Sequence, residues 1–196
     1  FNLYGGNNAS IKLVSGAKIG IKQETDYPWD GRIKITLTES DKKAFSLFFR
    51  IPGWTDNAKL SINGKDQALS LTSGTYAEVS RIWKKGDVVE LVLPMEATLV
   101  EANPLVEENR NQVAVKRGPI VYCLESNDLP GKSIFNAFIP ASIQLKATPI
   151  TIDGARMMSL EGNAKMVDPK SWTKVLYRPV STSNTTIPIK LIPYFA

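Results

Sequence analysis

Histidine is missing from this 196-residue chain, and cysteine occurs once, as Cys123. Without histidine, the side chain that most readily moves protons near neutral pH is absent. One cysteine and no histidine are also too few soft ligands for a zinc site. Chemistry on this chain would have to run on carboxylates, lysines or tyrosines. A lone cysteine excludes an internal disulfide, so redox compartment is left open. No apolar run approaches the roughly 20 residues a membrane-spanning helix needs, which argues against a membrane role. No window of about twelve residues carries a helical apolar stripe. A signal peptide is not seen either, and the opening Phe1-Asn2-Leu3-Tyr4 reads as part of a longer polypeptide.

Acidic residues are outnumbered, 19 against 24 basic ones, for a net charge of +5 and a pI near 9.2. A basic pI invites a nucleic-acid reading. The distribution speaks against it. Lys12, Lys18, Lys22 and Lys34 are spread singly at alternating positions, as solvent-facing strand residues are. No clustered arginine and aromatic platform accompanies them, so nucleic acid is not an expected partner.

What the chain has in quantity is period-two alternation. Ile11 and Leu13 flank Lys12; Ala17, Ile19 and Ile21 alternate with Lys18, Gly20 and Lys22; Ile33, Ile35 and Leu37 alternate with Lys34 and Thr36. Half-buried strands have this pattern. Further strands are expected at 45–51, 59–62, 75–79, 88–93 and 98–102. Breakers separate them, among them Asn63-Gly64, a strong two-residue hairpin signal. With 43% hydrophobic residues there is material for real cores. The expected fold is all-β: two consecutive antiparallel β-sandwich domains, jelly-roll or Ig-like, the first over 1–110 and the second over 111–196. The stretch 101–112, with Glu101, Glu107 and Glu108 around Asn103-Pro104, reads as the linker. A strand starts at Val113, and Gly118-Pro119 implies a bend or edge before Ile120–Leu124. Cys123, inside that apolar run, reads as a buried structural thiol. Later strands are expected at 172–177 and 187–195, with an exposed loop over 179–186.

The chemically richest segment is Thr25-Asp26-Tyr27-Pro28-Trp29-Asp30-Gly31, where two carboxylates bracket two aromatics on a proline-stiffened turn. It can be a sugar platform, a ring stacking on Trp29 or Tyr27 with hydroxyls bonded by Asp26 or Asp30. It can equally be a loop wedged against a neighbouring domain. Trp54, after Pro52-Gly53, reads as a corner aromatic, as does Trp83. Asp26, Tyr27, Pro28, Trp29, Asp30 and Trp54 are therefore the candidate interdomain or sugar-contact residues. A glycosidase role for Asp26 and Asp30 would need carboxyls roughly 5–9.5 Å apart across a cleft. The acids at 101, 107 and 108 lack calcium-loop spacing.

Several stretches, taken in order, carry a family resemblance: Asn2-Leu3-Tyr4, Gln23-Glu24-Thr25-Asp26-Tyr27-Pro28-Trp29-Asp30-Gly31, Phe48-Phe49-Arg50-Ile51-Pro52-Gly53-Trp54, Ile62-Asn63-Gly64-Lys65, Arg81-Ile82-Trp83-Lys84-Lys85-Gly86-Asp87, Leu93-Pro94-Met95 and the run 113–125. Together they resemble the C-terminal part of the β-L-arabinofuranosidases of glycoside hydrolase family 127. The match covers about 1–125, with a weaker one at 187–196. The resemblance implies a preceding (α/α) barrel that carries the chemistry, with a zinc-held cysteine nucleophile and a glutamate acid/base. Cys123 matches a sandwich strand instead, so no catalytic, cofactor-binding or metal-ligating residue is assigned to this chain, and zinc would belong to the missing barrel. The implied partners are that N-terminal barrel and a second copy in a homodimer. A glycan is the partner under the alternative reading, a module that recognises arabinose-containing glycans. The resemblance further implies that the second sandwich is truncated at its C-terminal end. It leaves the compartment open, periplasmic or secreted among the options.

Overall fold

Alternation of apolar and charged residues builds the first unit, Phe1–Glu96, in a computed structural model of the chain. The structure describes residues 1–14, 16–41, 43–129, 131–177, 179 and 184–196. Six strands form one antiparallel sheet: β1 (Asn7–Lys12), β2 (Lys18–Thr25), β3 (Arg32–Ser40), β5 (Lys59–Ile62), β6 (Lys65–Asp66) and β8 (Val88–Val92), in the order β1-β2-β3-β8-β5-β6. The remaining pair, β4 (Ala44–Arg50) and β7 (Tyr76–Ile82), makes a separate two-stranded sheet. Ile33, Ile35 and Leu37 of β3 and Val89 and Leu91 of β8 are fully buried, and they share one core with Phe49 and Trp83. Trp83 satisfies its indole N–H by donating to Phe45 O at 3.0 Å, as a buried indole must.

Asn63 and Gly64 both take positive φ, 51° and 76°, in a two-residue hairpin that pairs Ile62 with Lys65. Asn63 also ties that hairpin to the turn before β8. Its Nδ2 donates to Asp87 Oδ1 and its Oδ1 accepts from Val88 N, each at 2.9 Å. Asp87 Oδ2 accepts from Lys84 N at 2.9 Å and lies 4.0 Å from Arg81.

The second unit, Ala97–Ala196, is one seven-stranded antiparallel arrangement. Its strands are β9 (Ala97–Glu101), β10 (Val113–Arg117), β11 (Ile120–Cys123), β12 (Ala137–Phe138), β13 (Lys146–Ile152), β14 (Ala155–Met166) and β15 (Thr185–Pro193). β15 pairs with β14 through Leu191 and with β11 from Ile192. A strand that changes partners in this way turns the corner of a sandwich. The chain is thus all-β and antiparallel as expected, with only short 3-10 turns outside its strands among the described residues.

Several expectations need correction. The units divide at Glu96/Ala97, earlier than the 1–110 and 111–196 division. β9 already belongs to the second sheet, pairing Ala97–Glu101 with Val113–Arg117. The acidic stretch 101–112 is therefore a hairpin loop inside the second unit. Gly118-Pro119 is itself a two-residue hairpin, with Arg117 opposite Ile120 and Gly118 at φ 57°. Residues 172–177 are not a strand. The Asp168 side chain accepts from Lys170 N at 2.9 Å and starts a 3-10 turn over Pro169–Trp172, a capping interaction that outcompetes β propensity. The loop expected over 179–186 falls partly outside the described residues, and Thr185 and Thr186 open β15. Among the described residues no helix is long and apolar enough to cross a membrane.

Asp87 makes the first unit acid-sensitive. Burial raises its pKa, but the Asn63 side chain, the Lys84 amide and the Arg81 and Lys84 charges outweigh that, holding it below the ordinary 3.8. The stabilisation is complete above the unfolded value and is lost as pH falls through the folded one. Urea melts between pH 5 and 2 are expected to show a steeper loss for the native chain than for Asp87→Asn.

Candidate functional site

The turn after β2 is fixed mostly by its own backbone and short polar side chains. Thr25 Oγ1 donates to Arg32 O at 2.7 Å and accepts from Tyr27 N at 3.1 Å. Asp26 O accepts from Trp29 N at 2.8 Å and Asp30 N at 3.3 Å. Asp30 Oδ1 accepts from Arg32 N at 2.8 Å, which starts β3. The Tyr27–Pro28 peptide bond is cis. Gly31 follows, its carbonyl accepting from Leu93 N at 2.9 Å. A Cβ at this position would stand 1.8 Å from Leu93 O, so close approach requires glycine here.

This turn presents Tyr27 to a second loop, 51–55. Thr55 ties that loop down, its N–H donating to Pro52 O and its hydroxyl to Pro94 O, both at 3.3 Å. Ser73 donates to Thr55 O. The Tyr27 and Trp54 rings stack with centroids 6.4 Å apart and planes 26° apart. Tyr4 meets Tyr27 edge-on at 6.1 Å and anchors the group by donating to Arg50 O at 2.6 Å. Burial pushes the Tyr27 hydroxyl up, against the lowering effects of Trp54 and Arg50.

Of the six candidate residues, the structure brings Tyr27 and Trp54 into contact, both packed on the core. Pro28 and Trp29 are half-buried on the same turn, and Asp26 and Asp30 stand exposed at its ends. Asp30 spends one carboxylate oxygen on Arg32. Tyr4, the third member of the aromatic group, was visible in the sequence only as part of the Asn2-Leu3-Tyr4 motif. Tyr27 and Trp54 turn ring faces toward each other, and such a half-buried pad suits packing against another surface better than acid–base chemistry.

Two other places could have carried chemistry. Cys123 is half-buried where a fully buried thiol was expected. Burial first, then Glu125 and Asp128, push its thiol up, which disfavours the thiolate form needed for nucleophilic attack. Among the described residues no three His, Cys, Asp or Glu side chains converge on one point. The second unit holds a cavity of about 1120 Å³ between the 101–113 loop and the 134–139 segment. The unpatterned sequences of those loops gave no sign of it. Glu101 is the one carboxylate among its lining residues, and glycoside hydrolysis by paired carboxylates needs two.

Comparison with known proteins matches both units. Residues 1–95 match the family described as "Beta-L-arabinofuranosidase, GH127 middle domain". Residues 97–196 match "Glycoside hydrolase family 127 C-terminal domain". A non-reducing end β-L-arabinofuranosidase from Bifidobacterium longum subsp. longum is 35% identical over 128 residues, 62% of this chain and 19% of that protein. A solved family 127 β-L-arabinofuranosidase from Geobacillus stearothermophilus T6 superposes with a TM-score of 0.88 at 36% identity, over 98% of this chain and 30% of its own. Another solved structure, described as a glycoside hydrolase, gives 0.91 at 50% identity, over 98% and 32%. The chain thus spans a third or less of these relatives.

Gly31 offers a direct check on the turn. Gly31→Ala is expected to destabilise the first unit by about 3 kcal/mol through overpacking on Leu93. Gly53→Ala, with open space around it, should be nearly neutral. Urea melts followed by tryptophan fluorescence distinguish them.

Proposed function

We propose, since this chain belongs to glycoside hydrolase family 127 and comprises its middle and C-terminal domains, that it braces the catalytic barrel of a β-L-arabinofuranosidase-like enzyme. Bond cleavage, and the zinc that supports it, are assigned to that barrel. The carrying observation is that two non-catalytic domain families account for the chain nearly end to end. The surroundings of Cys123 and the lone acid of the second-unit cavity support the same reading.

Tyr27, Pro28, Trp29 and Trp54 are assigned to the face that meets the barrel. Buried aromatic anchors are what such contacts use, and the Tyr4–Tyr27–Trp54 group is already held rigid from below. Pairing of two copies is a further role of this region, to be read from the sedimentation of the full-length enzyme.

The isolated chain is expected to give no turnover of an aryl β-L-arabinofuranoside, with or without added zinc; measurable turnover would overturn the reading. Calorimetric titration with arabino-oligosaccharides is expected to give no saturable heat. Saturable heat that Trp29→Ala abolishes would identify a carbohydrate-binding module instead.

A further inference from the structure

Phe1 lies beside β4 in a parallel arrangement. Its nitrogen donates to Phe48 O at 2.6 Å, and its carbonyl accepts from Arg50 N at 3.1 Å. One residue hydrogen-bonded between two alternate residues of a neighbour is a parallel bridge, here to Phe49. The Phe1 and Phe49 rings confirm the register, stacking 5.1 Å apart with planes 5° apart. Because Phe48 and Arg50 turn their backbone groups to this edge, alternation places those of Ala44 and Ser46 there too. β7 occupies the opposite edge.

Beside the Phe1 edge lies a slot of about 410 Å³, walled by Leu3, Ala9, Ile11, Ile21, Leu47 and Phe48. Ala9 pairs with Ile21 and Ile11 with Ile19, so these β1 residues point to the same face as buried core residues. Yet all of β1 is exposed, Ile11 to 42%. Gln23, only 3% exposed, has an Oε1 that meets no donor among the described residues. An inward-facing apolar strip left uncovered beside an open strand edge is a seat for another strand.

We propose that this slot holds the polypeptide leading into Phe1 in the full-length protein, bound as a further strand parallel to β4. The proposal rests on the accessory role above and gives it one concrete attachment. The occupant follows from the direction of the Phe1–Phe49 bridge, which aims the preceding residues back along Leu47 and Phe45. It follows also from the relatives, in which two thirds or more of the polypeptide lies outside the matched region. The second residue before Phe1 pairs with Leu47 and points inward, so it is apolar. Its N–H donates to Ser46 O and its carbonyl accepts from Phe48 N, while the fourth residue back accepts from Ser46 N.

Amide exchange tests this on the 196-residue chain and on the same chain carrying about eight of its native preceding residues, a typical strand length. In the longer chain the Ser46 and Phe48 amides should exchange at least about tenfold more slowly, with Ile35 and Leu91 unchanged. Proline at the second preceding position removes the donor to Ser46 O and should return both amides to the faster rates. Equal Ser46 and Phe48 rates in both chains, with core amides protected, would overturn the proposal. So would protection in the shorter chain that vanishes on dilution, since a second copy would then fill the slot. Either failure leaves the accessory role standing, because that role is judged by turnover and thermal coupling.

Discussion

Six strands face two in the first unit, and that mismatch in area governs the rest of the structure. The β4–β7 pair can bury only the middle of the larger sheet, where Ile33, Ile35, Leu37, Val89 and Leu91 lose all contact with water. Each such side chain contributes on the order of 1.5–3 kcal/mol. The strip on β1 is left with its inward face bare. The core is therefore complete at its centre and unfinished at one side, a form suited to a component of something larger.

The same geometry places the aromatic group. β4 leads into the 51–55 loop that carries Trp54, while β2 leads into the turn that carries Tyr27; the two rings stack on each other and pack on the core, where Tyr4 meets Tyr27 edge-on. The site is held by hydrogen bonds that Thr25 and Thr55 donate to backbone carbonyls and that Asp30 accepts from Arg32 N, interactions of about 1 kcal/mol each. Rigid aromatic placement, with the Asp30 carboxylate engaged in closing the turn, suits the contact surface proposed above.

Strands of the first unit were legible because alternation over β2 and β3 is strict and Asn63-Gly64 carries an unambiguous turn preference. The second unit was less readable. Its longest hairpin turns at Asp153-Gly154, both at positive φ, and joins β13 to the twelve-residue β14. That dipeptide is a hairpin signal of the same strength as Asn63-Gly64, but Met157, Met158, Gly162 and Asn163 blur the alternation around it. Trp172–Tyr177 misled in the opposite sense, since local capping by Asp168 overrode an aromatic, β-prone composition. Of the site, Tyr27 and Trp54 were legible as separate aromatics; their stacking depends on loops from different strands and left no trace in spacing. The cavity of the second unit arises where two irregular segments meet, and no periodicity marks it.

The role proposed for this region is that of an energetically coupled support for a catalytic barrel. Differential scanning calorimetry of the full-length enzyme, beside the isolated 196-residue chain, tests it most directly. The account predicts that the region melts together with the barrel in the full-length protein, at a higher temperature than alone. Separate transitions, with this region melting at the temperature of the isolated chain, would contradict it.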